Sequence, residues 1–299
     1  MRHLLKILLL CFGCLATNAL ASSDQILFKA PRTVVVLAQN WAEAYLRKNP
    51  EADIQVASGG PDSGLKALQN NKTDLALSTR QINPSETQAY VRLYGKRPRE
   101  YRVAMESLCI WVNEQNHVTE LDLEQVARIF TGKIRNWNQL GGPDAPITVY
   151  GRQKESGAYD LLKTQVLKGG DFVGGAQTMP SATAVLKAVS KDKNGIGFAG
   201  WATSVGARSL KIKRNPDSRA IEPTDENLFN GRYPIRRCLY LYLHPALDKG
   251  KIAAFLNWIR SDEGQVVAQA TGCHPLAPNW REKAYAEDNK KPQDLAHAD

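Results

Sequence analysis

Cysteine is scarce in this chain: five of its 299 residues are cysteine, too few for a fold held together by disulfides. Long hydrophobic runs are scarce as well. Ile7 to Ala16 is the one apolar segment to consider at a membrane, so a polytopic membrane protein is excluded. Lys and Arg nowhere form a run interleaved with aromatic residues, which argues against a nucleic-acid partner. The remaining composition, with 43% apolar and 23% charged residues, is typical of a folded globular protein.

The first 21 residues have the pattern of a secretory signal peptide. Arg2 and Lys6 precede an apolar run that is too short to span a bilayer, and small residues lead up to Ala21. We predict cleavage after Ala21 and a periplasmic or secreted protein. A lipid anchor on Cys14 is the alternative. The CxxC pattern that Cys14 forms with Cys11 lies inside the segment to be removed.

The chain that remains after cleavage keeps a positive excess and three cysteines. Lys and Arg number 39 against 30 Asp and Glu, a formal charge of +9, and the signal segment contributes only two of the basic residues. Such an excess suits an anionic ligand or simply a soluble surface. Three cysteines allow at most one disulfide, for which Cys238–Cys273 is the favoured pair. Cys109, in the apolar run Leu108 to Val112, is predicted to be buried.

Short apolar segments alternate with amphipathic helical ones, which favours an α/β architecture. Leu37, Trp41 and Tyr45 lie on one face of a helix that ends before Pro50. A strand is predicted from Ser107 to Val112.

Two further helices have clear start signals. Asn83, followed by Pro84, and Asp122 are predicted N-caps. A new pattern begins near Met105, and residues 282–299 have the composition of a flexible polar tail.

Three junctions place a loop containing Ser, Thr or Gly directly before a helix: Arg32-Thr33, Gly60 to Gly64, and Arg152 to Gly157. The N–H groups at a helix start are unpaired and carry partial positive charge, so such junctions accept anions. Hydroxyls add donors, and arginine adds a forked cationic donor that matches a tetrahedral oxyanion. The alternative is that Ser63 and Ser156 are simple N-caps, and spacing alone does not show whether the junctions converge.

Motifs of catalysis are missing from the sequence. Gly195 to Gly200 matches GxGxxG, but it follows a polar turn and no helix clearly begins after it, so a dinucleotide site is not predicted. GxSxG and the P-loop are absent, and no two carboxylates are spaced as an acid/base pair. A metal site built from His244, Cys273 and His274 is an alternative to surface or structural histidines. We predict no enzyme, no metal and no cofactor.

Several stretches carry a resemblance to a known family. Ile129 to Trp137 reads IFTGKIRNW, close to the signature IFxGKIxNW. Tyr233 to Arg237 resembles the YPxxR return strand, and Ser261 to Gln265 with Thr271 to Leu276 resembles the ending SxEGQ…GYxPL. Over about residues 34–278, the chain resembles the PstS-like phosphate-binding receptors of bacterial ABC importers, which are type II periplasmic binding proteins.

The resemblance implies an α/β fold of two lobes, with the ligand cleft between them and two hinge crossings that allow closure. Lobe one would comprise residues 22–105 and 236–281, and lobe two residues 106–235. The crossings would lie near Arg102 to Ser107 and near Ile235 to Leu241. The resemblance further implies a monomer that delivers inorganic phosphate, or a related tetrahedral oxyanion, to an ABC transporter permease.

The resemblance also implies the residues of the pocket. They are Arg32, Thr33, Asp62, Ser63, Thr79, Arg152, Ser156 and Gly157. Four positions depart from the family pattern. Arg32 stands where the family usually has a small or hydroxyl residue, Pro61 replaces a Ser, and Ala158 replaces a Thr. Thr79 stands where some members have an Asp that accepts the phosphate proton.

These departures affect which anion the pocket would prefer. Because an acceptor carboxylate favours protonated phosphate over sulfate, we hypothesise that Asp62 takes over this role and that Arg32 compensates for the lost hydroxyls. In the alternative, Asp62 is only an N-cap and the pocket has drifted to another anion or to none.

The predicted function is a secreted, non-enzymatic phosphate receptor of an ABC importer. The alternative is a repurposed PstS-like protein with a degenerate pocket, acting as a sensor, adhesin or secreted accessory factor, and the residues Pro61 and Ala158 motivate it. A phosphate-ester hydrolase comes third, because the sequence marks neither a nucleophile–base pair nor a metal cluster.

Overall fold

The computed structural model describes residues 25–200 and 205–281. The predicted signal peptide, residues 1–21, and the predicted polar tail, residues 282–299, lie outside these ranges. Within them, none of the helices combines the length and the apolar composition needed to cross a bilayer.

Strands and helices alternate along the described chain, as predicted for an α/β protein. The strands are β1 (Gln25–Pro31), β2 (Asp53–Gly59), β3 (Leu75–Ser78), β4 (Arg99–Ser107), β5 (Cys109–Asn113), β6 (Glu120–Asp122), β7 (Thr148–Arg152), β8 (Gln177–Met179), β9 (Gly195–Ala199), β10 (Ala207–Ser209), β11 (Lys211–Lys213) and β12 (Arg236–Leu243). The α-helices are α1 (Val35–Leu46), α2 (Ser63–Gln69), α3 (Pro84–Tyr94), α4 (Leu123–Phe130), α5 (Gly157–Gln165), α6 (Ala182–Lys191), α7 (Asp225–Phe229), α8 (Gly250–Arg260), α9 (Asp262–Ala270) and α10 (Pro278–Arg281). Short 3-10 turns occupy Arg32–Val34, Trp137–Leu140 and Pro245–Leu247.

The sheet of lobe one has the strand order β2-β1-β3-β12-β4. Strand β1 runs parallel to β2 and β3, and β12 runs antiparallel to β3 and β4. All four residues of β3 are buried, as expected for a central strand covered on both faces. Trp41 of α1 and Phe255 of α8 are fully buried in the core on one side of this sheet.

The sheet of lobe two has the order β10-β5-β9-β7-β8, and β6 pairs with β11 in a separate small sheet. Strand β7 is parallel to β8 and β9, whereas β5 is antiparallel to β9 and β10. Ile129, Phe130 and Trp137 are fully buried in the core of this lobe. The most specific sequence signature therefore encodes the packing of lobe two.

The two crossings between the sheets lie side by side. Strand β4 ends at Ser107 and β5 begins at Cys109, so the predicted strand Ser107 to Val112 is in fact divided at Leu108, where the chain changes sheets. On the return, the chain enters β12 at Arg236. The N–H of Leu108 donates to the carbonyl of Ile235 at 3.0 Å, which joins the two crossings.

The helix predictions from local sequence are confirmed. Leu37, Trp41 and Tyr45 are buried along α1. Asn83 forms a capping box at the start of α3, and Asp122 forms one at the start of α4. Both α3 and α4 therefore begin at local side-chain hydrogen bonds.

The C-terminal return contacts both lobes. His274 forms an antiparallel bridge with Met105 of β4, beside the sheet of lobe one. Leu276 is fully buried in the core of lobe two, and the Trp280 ring lies 5.9 Å from that of Phe229. The prediction assigned all of residues 236–281 to lobe one, whereas their last part packs against lobe two.

The predicted Cys238–Cys273 disulfide is wrong: all three cysteines of the described ranges are free. Cys238 lies opposite Met105 on the neighbouring strand, and the other edge of Met105 bridges to His274. Strand β4 therefore lies between the two cysteines. Their Cα atoms are about two strand spacings apart, or about 9–10 Å, whereas a disulfide spans at most roughly 7 Å between Cα atoms. Cys109 is fully buried, as predicted, and burial raises the pKa of its thiol to about 12.

Candidate anion-binding cleft

The parallel strands of lobe one end at a common edge, where two of the three predicted junctions and the loop after β3 begin. Pro31 at the end of β1 is in register with Gly59 at the end of β2, and β3 runs in the same direction. The loops that follow carry the predicted residues of this lobe, which are Arg32, Thr33, Asp62, Ser63 and Thr79. The carboxyl edge of parallel strands is the usual place for a ligand in an α/β sheet.

Lobe two presents an equivalent edge at the end of β7. This strand ends at Arg152, and α5 begins after Ser156, whose Oγ accepts from the N–H of Tyr159 at 3.1 Å. Ser156 is therefore an N-cap, as its simpler interpretation states. The N–H groups of Gly157 and Ala158 have no acceptor within the described ranges, so they remain available to an anion.

Gly157 brings the two edges together. A Cβ placed on Gly157 would lie 3.0 Å from the carbonyl oxygen of Thr33 and 3.0 Å from Oε1 of Glu106. Thr33 follows β1 of lobe one, whereas Gly157 begins α5 of lobe two. A Cβ at these distances would force a neighbouring atom to move by a few tenths of an ångström, so the approach favours glycine. Two of the three predicted junctions thus meet.

Two predicted residues, one from each lobe, have buried polar atoms without a hydrogen-bond partner in the described part of the chain. They are Ser63, through Oγ, and Arg152, through Nε. Buried polar atoms are nearly always paired, so each of these needs an explanation. Desolvation lowers the pKa of Arg152, whose guanidinium has no acidic partner among the described residues.

Asp62 is engaged elsewhere in lobe one. Its Oδ1 accepts from Nη2 of Arg80 at 2.6 Å and from Nε at 3.0 Å, and Arg80 also binds Glu86. The hydrogen bond to Arg80 lowers the pKa of Glu86. Asp62 occupies the N-cap position of α2, but its side chain makes no capping hydrogen bond. Its contacts do not match the role of a cap, whereas its Oδ2 accepts no hydrogen bond from a described residue and leaves the role of proton acceptor untested.

The other two predicted residues have no side-chain contact that fixes them. Arg32 is exposed and Thr79 is partly exposed. Neither side chain forms a hydrogen bond or an ion pair with any described residue. They lie at the correct edge of the sheet, but no contact joins them to Arg152 or Ser156.

Sequence reasoning missed a partly buried ion network beside the cleft, formed by Glu106, Arg237 and Asp160. Nε of Arg237 lies 2.7 Å from Oε2 of Glu106, and Nη1 lies 2.6 Å from Oδ2 of Asp160. We call these three residues the hinge ion network. Arg237 was visible as the last residue of the YPIRR motif, but its partners lie far away in sequence.

A Ser–His–Asp array lies at the hinge and was also missed. Oγ of Ser107 is 2.6 Å from Nε2 of His274, and Nδ1 of His274 is 3.0 Å from Oδ1 of Asp225. Both Ser107 and His274 are buried. No cluster of three or more metal-binding side chains occurs in the described ranges, which includes the surroundings of Cys273 and His244.

Two concavities lie away from the cleft. A small one is lined by residues of α2 and α3, including Leu65 and Tyr90. An open groove on lobe two is lined by residues that include Asn116, Arg208 and Thr224. Neither is lined by any of the predicted pocket residues.

The chain is similar in sequence to curated phosphate-binding proteins. A family model described as a PBP superfamily domain matches residues 19–263. The phosphate-binding protein PstS of Pseudomonas aeruginosa is 30% identical over 271 residues, which cover 85% of this chain and 84% of that protein.

Solved structures show the same architecture. A "possible phosphate binding protein" from Planctomyces limnophilus superposes with a TM-score of 0.77 at 23% identity, covering 86% of this chain and 95% of that one. An ABC-type phosphate transport receptor from Vibrio cholerae superposes with a TM-score of 0.67 at 22% identity, covering 83% and 99%. At these identities the structural similarity establishes the two-lobed fold. Together with the sequence matches, it shows that the chain belongs to the PstS-like phosphate-binding proteins of the periplasmic binding protein superfamily.

Proposed function

We propose that the protein captures inorganic phosphate, or a related tetrahedral oxyanion, in the cleft between its lobes and delivers it to an ABC importer. One observation carries this proposal: the half-buried guanidinium of Arg152 has no acidic partner among the described residues and stands just before the start of α5. An uncompensated buried charge is costly, and an anionic ligand would compensate it.

The surroundings of Arg152 suit a tetrahedral anion. The free N–H groups of Gly157 and Ala158 point along the positive end of the α5 dipole, and the forked guanidinium offers donors of matching geometry. From lobe one, Ser63 contributes a hydroxyl without a partner among the described residues. These donors come from two lobes, so closure of the cleft would surround the anion.

Glu106 is our candidate for the carboxylate that accepts the phosphate proton. Asp62 is paired with Arg80 and its side chain is 41% exposed, against 16% for Glu106, and Thr79 has no carboxylate. Oε1 of Glu106 lies beside Gly157 and is free of hydrogen bonds from described residues, because Arg237 is bound through Oε2. An ionised carboxylate only accepts hydrogen bonds, so it favours a protonated anion over sulfate.

The cellular role follows from the family and the sequence. Cleavage after Ala21 would release the protein into the periplasm or the medium, where it would act as a monomer that presents its ligand to a transporter permease. The proposal includes no catalytic step, no metal and no cofactor.

Titration of ligand-stripped protein with phosphate and sulfate tests the proposal. Arg152→Ala removes a charged donor from a desolvated site, so we expect phosphate affinity to fall by about 2–5 kcal/mol, at least about 30-fold. Arg92→Ala is the matched control, since it removes the same charge from the exposed surface of α3. Absence of heat and of any thermal shift with every oxyanion would refute phosphate capture and favour the repurposed protein with a degenerate pocket.

The Ser107–His274–Asp225 array is the one observation that favours a hydrolase. Its connectivity is that of a nucleophile, a base and an orienting carboxylate. Ser107 is 6% exposed and His274 is 5% exposed, so a substrate has no access to the hydroxyl, and we assign the array a structural role at the hinge. Turnover of a generic phosphate ester or carboxylate ester that is lost in Ser107→Ala would reverse this assignment.

A further inference from the structure

The hinge ion network connects the two lobes at the start of α5. Glu106 and Arg237 are opposite each other on β4 and β12, within the sheet of lobe one. Asp160 lies in the first turn of α5, in lobe two. Arg237 bonds to both carboxylates, and its Nη2 lies 3.5 Å from the carbonyl oxygen of Gly157. One guanidinium therefore contacts the hinge strand, the helix and the glycine at the helix start.

Arg237, the cation of the network, is shielded from water. The side chain of Arg237 is 8% exposed, against 16% for Glu106 and 27% for Asp160. Charge-assisted hydrogen bonds are strong in such surroundings, and the planar guanidinium imposes a fixed geometry on its partners. The Lys163–Asp171 pair, also on lobe two, has an aspartate that is 94% exposed, so this pair does little to fix the position of its helix.

We propose that Arg237 is a positioning residue, which holds the start of α5 against Thr33 through Asp160 and thereby keeps the cleft closed on its anion. This inference rests on the proposed function, since it concerns the same cleft. Arg237 does not touch the anion. It acts through Asp160 and the Gly157 carbonyl, and it sets how long the two lobes stay together.

Asp160 is the member of the network to change, because its bond to Arg237 joins the lobes, whereas the Glu106–Arg237 pair lies within lobe one. Asp160→Asn keeps the shape of the side chain and removes its charge. Simple Coulomb repulsion predicts that removing a negative charge near an anion site tightens binding. If Arg237 positions the start of α5, the same substitution weakens phosphate binding, so the change in affinity distinguishes the two explanations.

The experiment measures phosphate affinity and the dissociation rate for four full-length proteins: wild type, Asp160→Asn, Asp160→Glu and Asp171→Asn. We expect Asp160→Asn to weaken phosphate binding at least about tenfold, mainly through faster dissociation, as for the loss of one charge-assisted hydrogen bond. Asp160→Glu keeps the charge and should restore most of the affinity. Asp171→Asn removes a charge from the exposed pair and should leave affinity unchanged.

The outcomes separate the two proposals. If wild type binds no oxyanion, the proposed function fails and the positioning role fails with it. If wild type binds phosphate but Asp160→Asn binds it equally or more tightly, only the positioning role fails. A lower unfolding temperature of ligand-free Asp160→Asn with unchanged affinity would likewise overturn positioning, because it would show a purely structural contact.

Discussion

Gly157→Ala should weaken ligand binding without weakening the fold. Its Cβ would lie 3.0 Å from the Thr33 carbonyl oxygen and 3.0 Å from Oε1 of Glu106. Both neighbours resist displacement, because one is backbone and the other is a carboxylate held by Arg237 at 2.7 Å. The backbone of Gly157 itself is helical and accommodates alanine.

The size of the effect follows from these contacts. Overpacking by one methyl group costs about 1–3 kcal/mol where neighbours cannot move. Here the strain is relieved when the lobes separate, so the cost falls on the closed state, and affinity should decrease by about 5- to 150-fold. Replacing glycine by alanine in a helix stabilises the folded chain by about 0.4–1 kcal/mol. The ligand-free protein should therefore unfold at an unchanged or higher temperature while its phosphate affinity falls.

Calorimetric titration with phosphate and thermal unfolding without ligand measure the two quantities on one preparation. Gly174→Ala is the matched control, since a Cβ there has no atom within 4 Å, and it should change neither. Phosphate affinity equal to wild type in Gly157→Ala would refute the close approach of Thr33 to α5 in the bound state. Parallel losses of affinity and stability would refute the argument that the strain belongs only to the closed state.

Two further predictions concern charge. Glu106→Gln replaces an acceptor by a group that also donates, so the ratio of phosphate to sulfate affinity should fall at least about tenfold, and an unchanged ratio in competitive titrations would exclude Glu106 as the proton acceptor. Desolvation lowers the pKa of His274, so the folded state binds this proton less readily than the unfolded chain. Stability from this residue is therefore complete above about pH 6.5 and is lost as the pH falls toward the folded pKa, by up to about 1.4 kcal/mol per pH unit. Between pH 7.5 and 5.5, the unfolding temperature of His274→Gln should depend less steeply on pH than that of wild type. Identical slopes of unfolding temperature against pH would contradict the prediction.

The fold was accessible from the sequence where the signals are local. Asn83 and Asp122 make their caps with backbone only three residues away, and α1 shows its buried face by spacing alone. The division between β4 and β5 at Leu108 was not accessible, because residues 107–113 are buried without a break across it. Only the change of sheet separates them, and that is a tertiary property.

The site was accessible in part for the same reason. Arg152 and Gly157 belong to one loop and helix start, so a motif identifies them together. The contact of Gly157 with Thr33, and that of Arg237 with Asp160, join positions far apart in the chain. The cross-strand register that sets Glu106 against Arg237 depends on the pairing of β4 with β12, which no local pattern encodes.

The hinge ion network affects which anion the cleft would prefer, given the residues that depart from the family pattern. Pro61, Thr79 and Ala158 remove a hydroxyl, a carboxylate and another hydroxyl from the positions where the resemblance implies them. The network places two carboxylates and one guanidinium beside the start of α5, a local excess of one negative charge. A fully deprotonated oxyanion such as sulfate can only accept hydrogen bonds and meets that excess, whereas an oxyanion that still carries a proton can donate it to Glu106. If Glu106 is the proton acceptor, as proposed, a preference for a protonated oxyanion persists although Thr79 has no carboxylate, because the accepting carboxylate then lies at the hinge and not at the edge of lobe one.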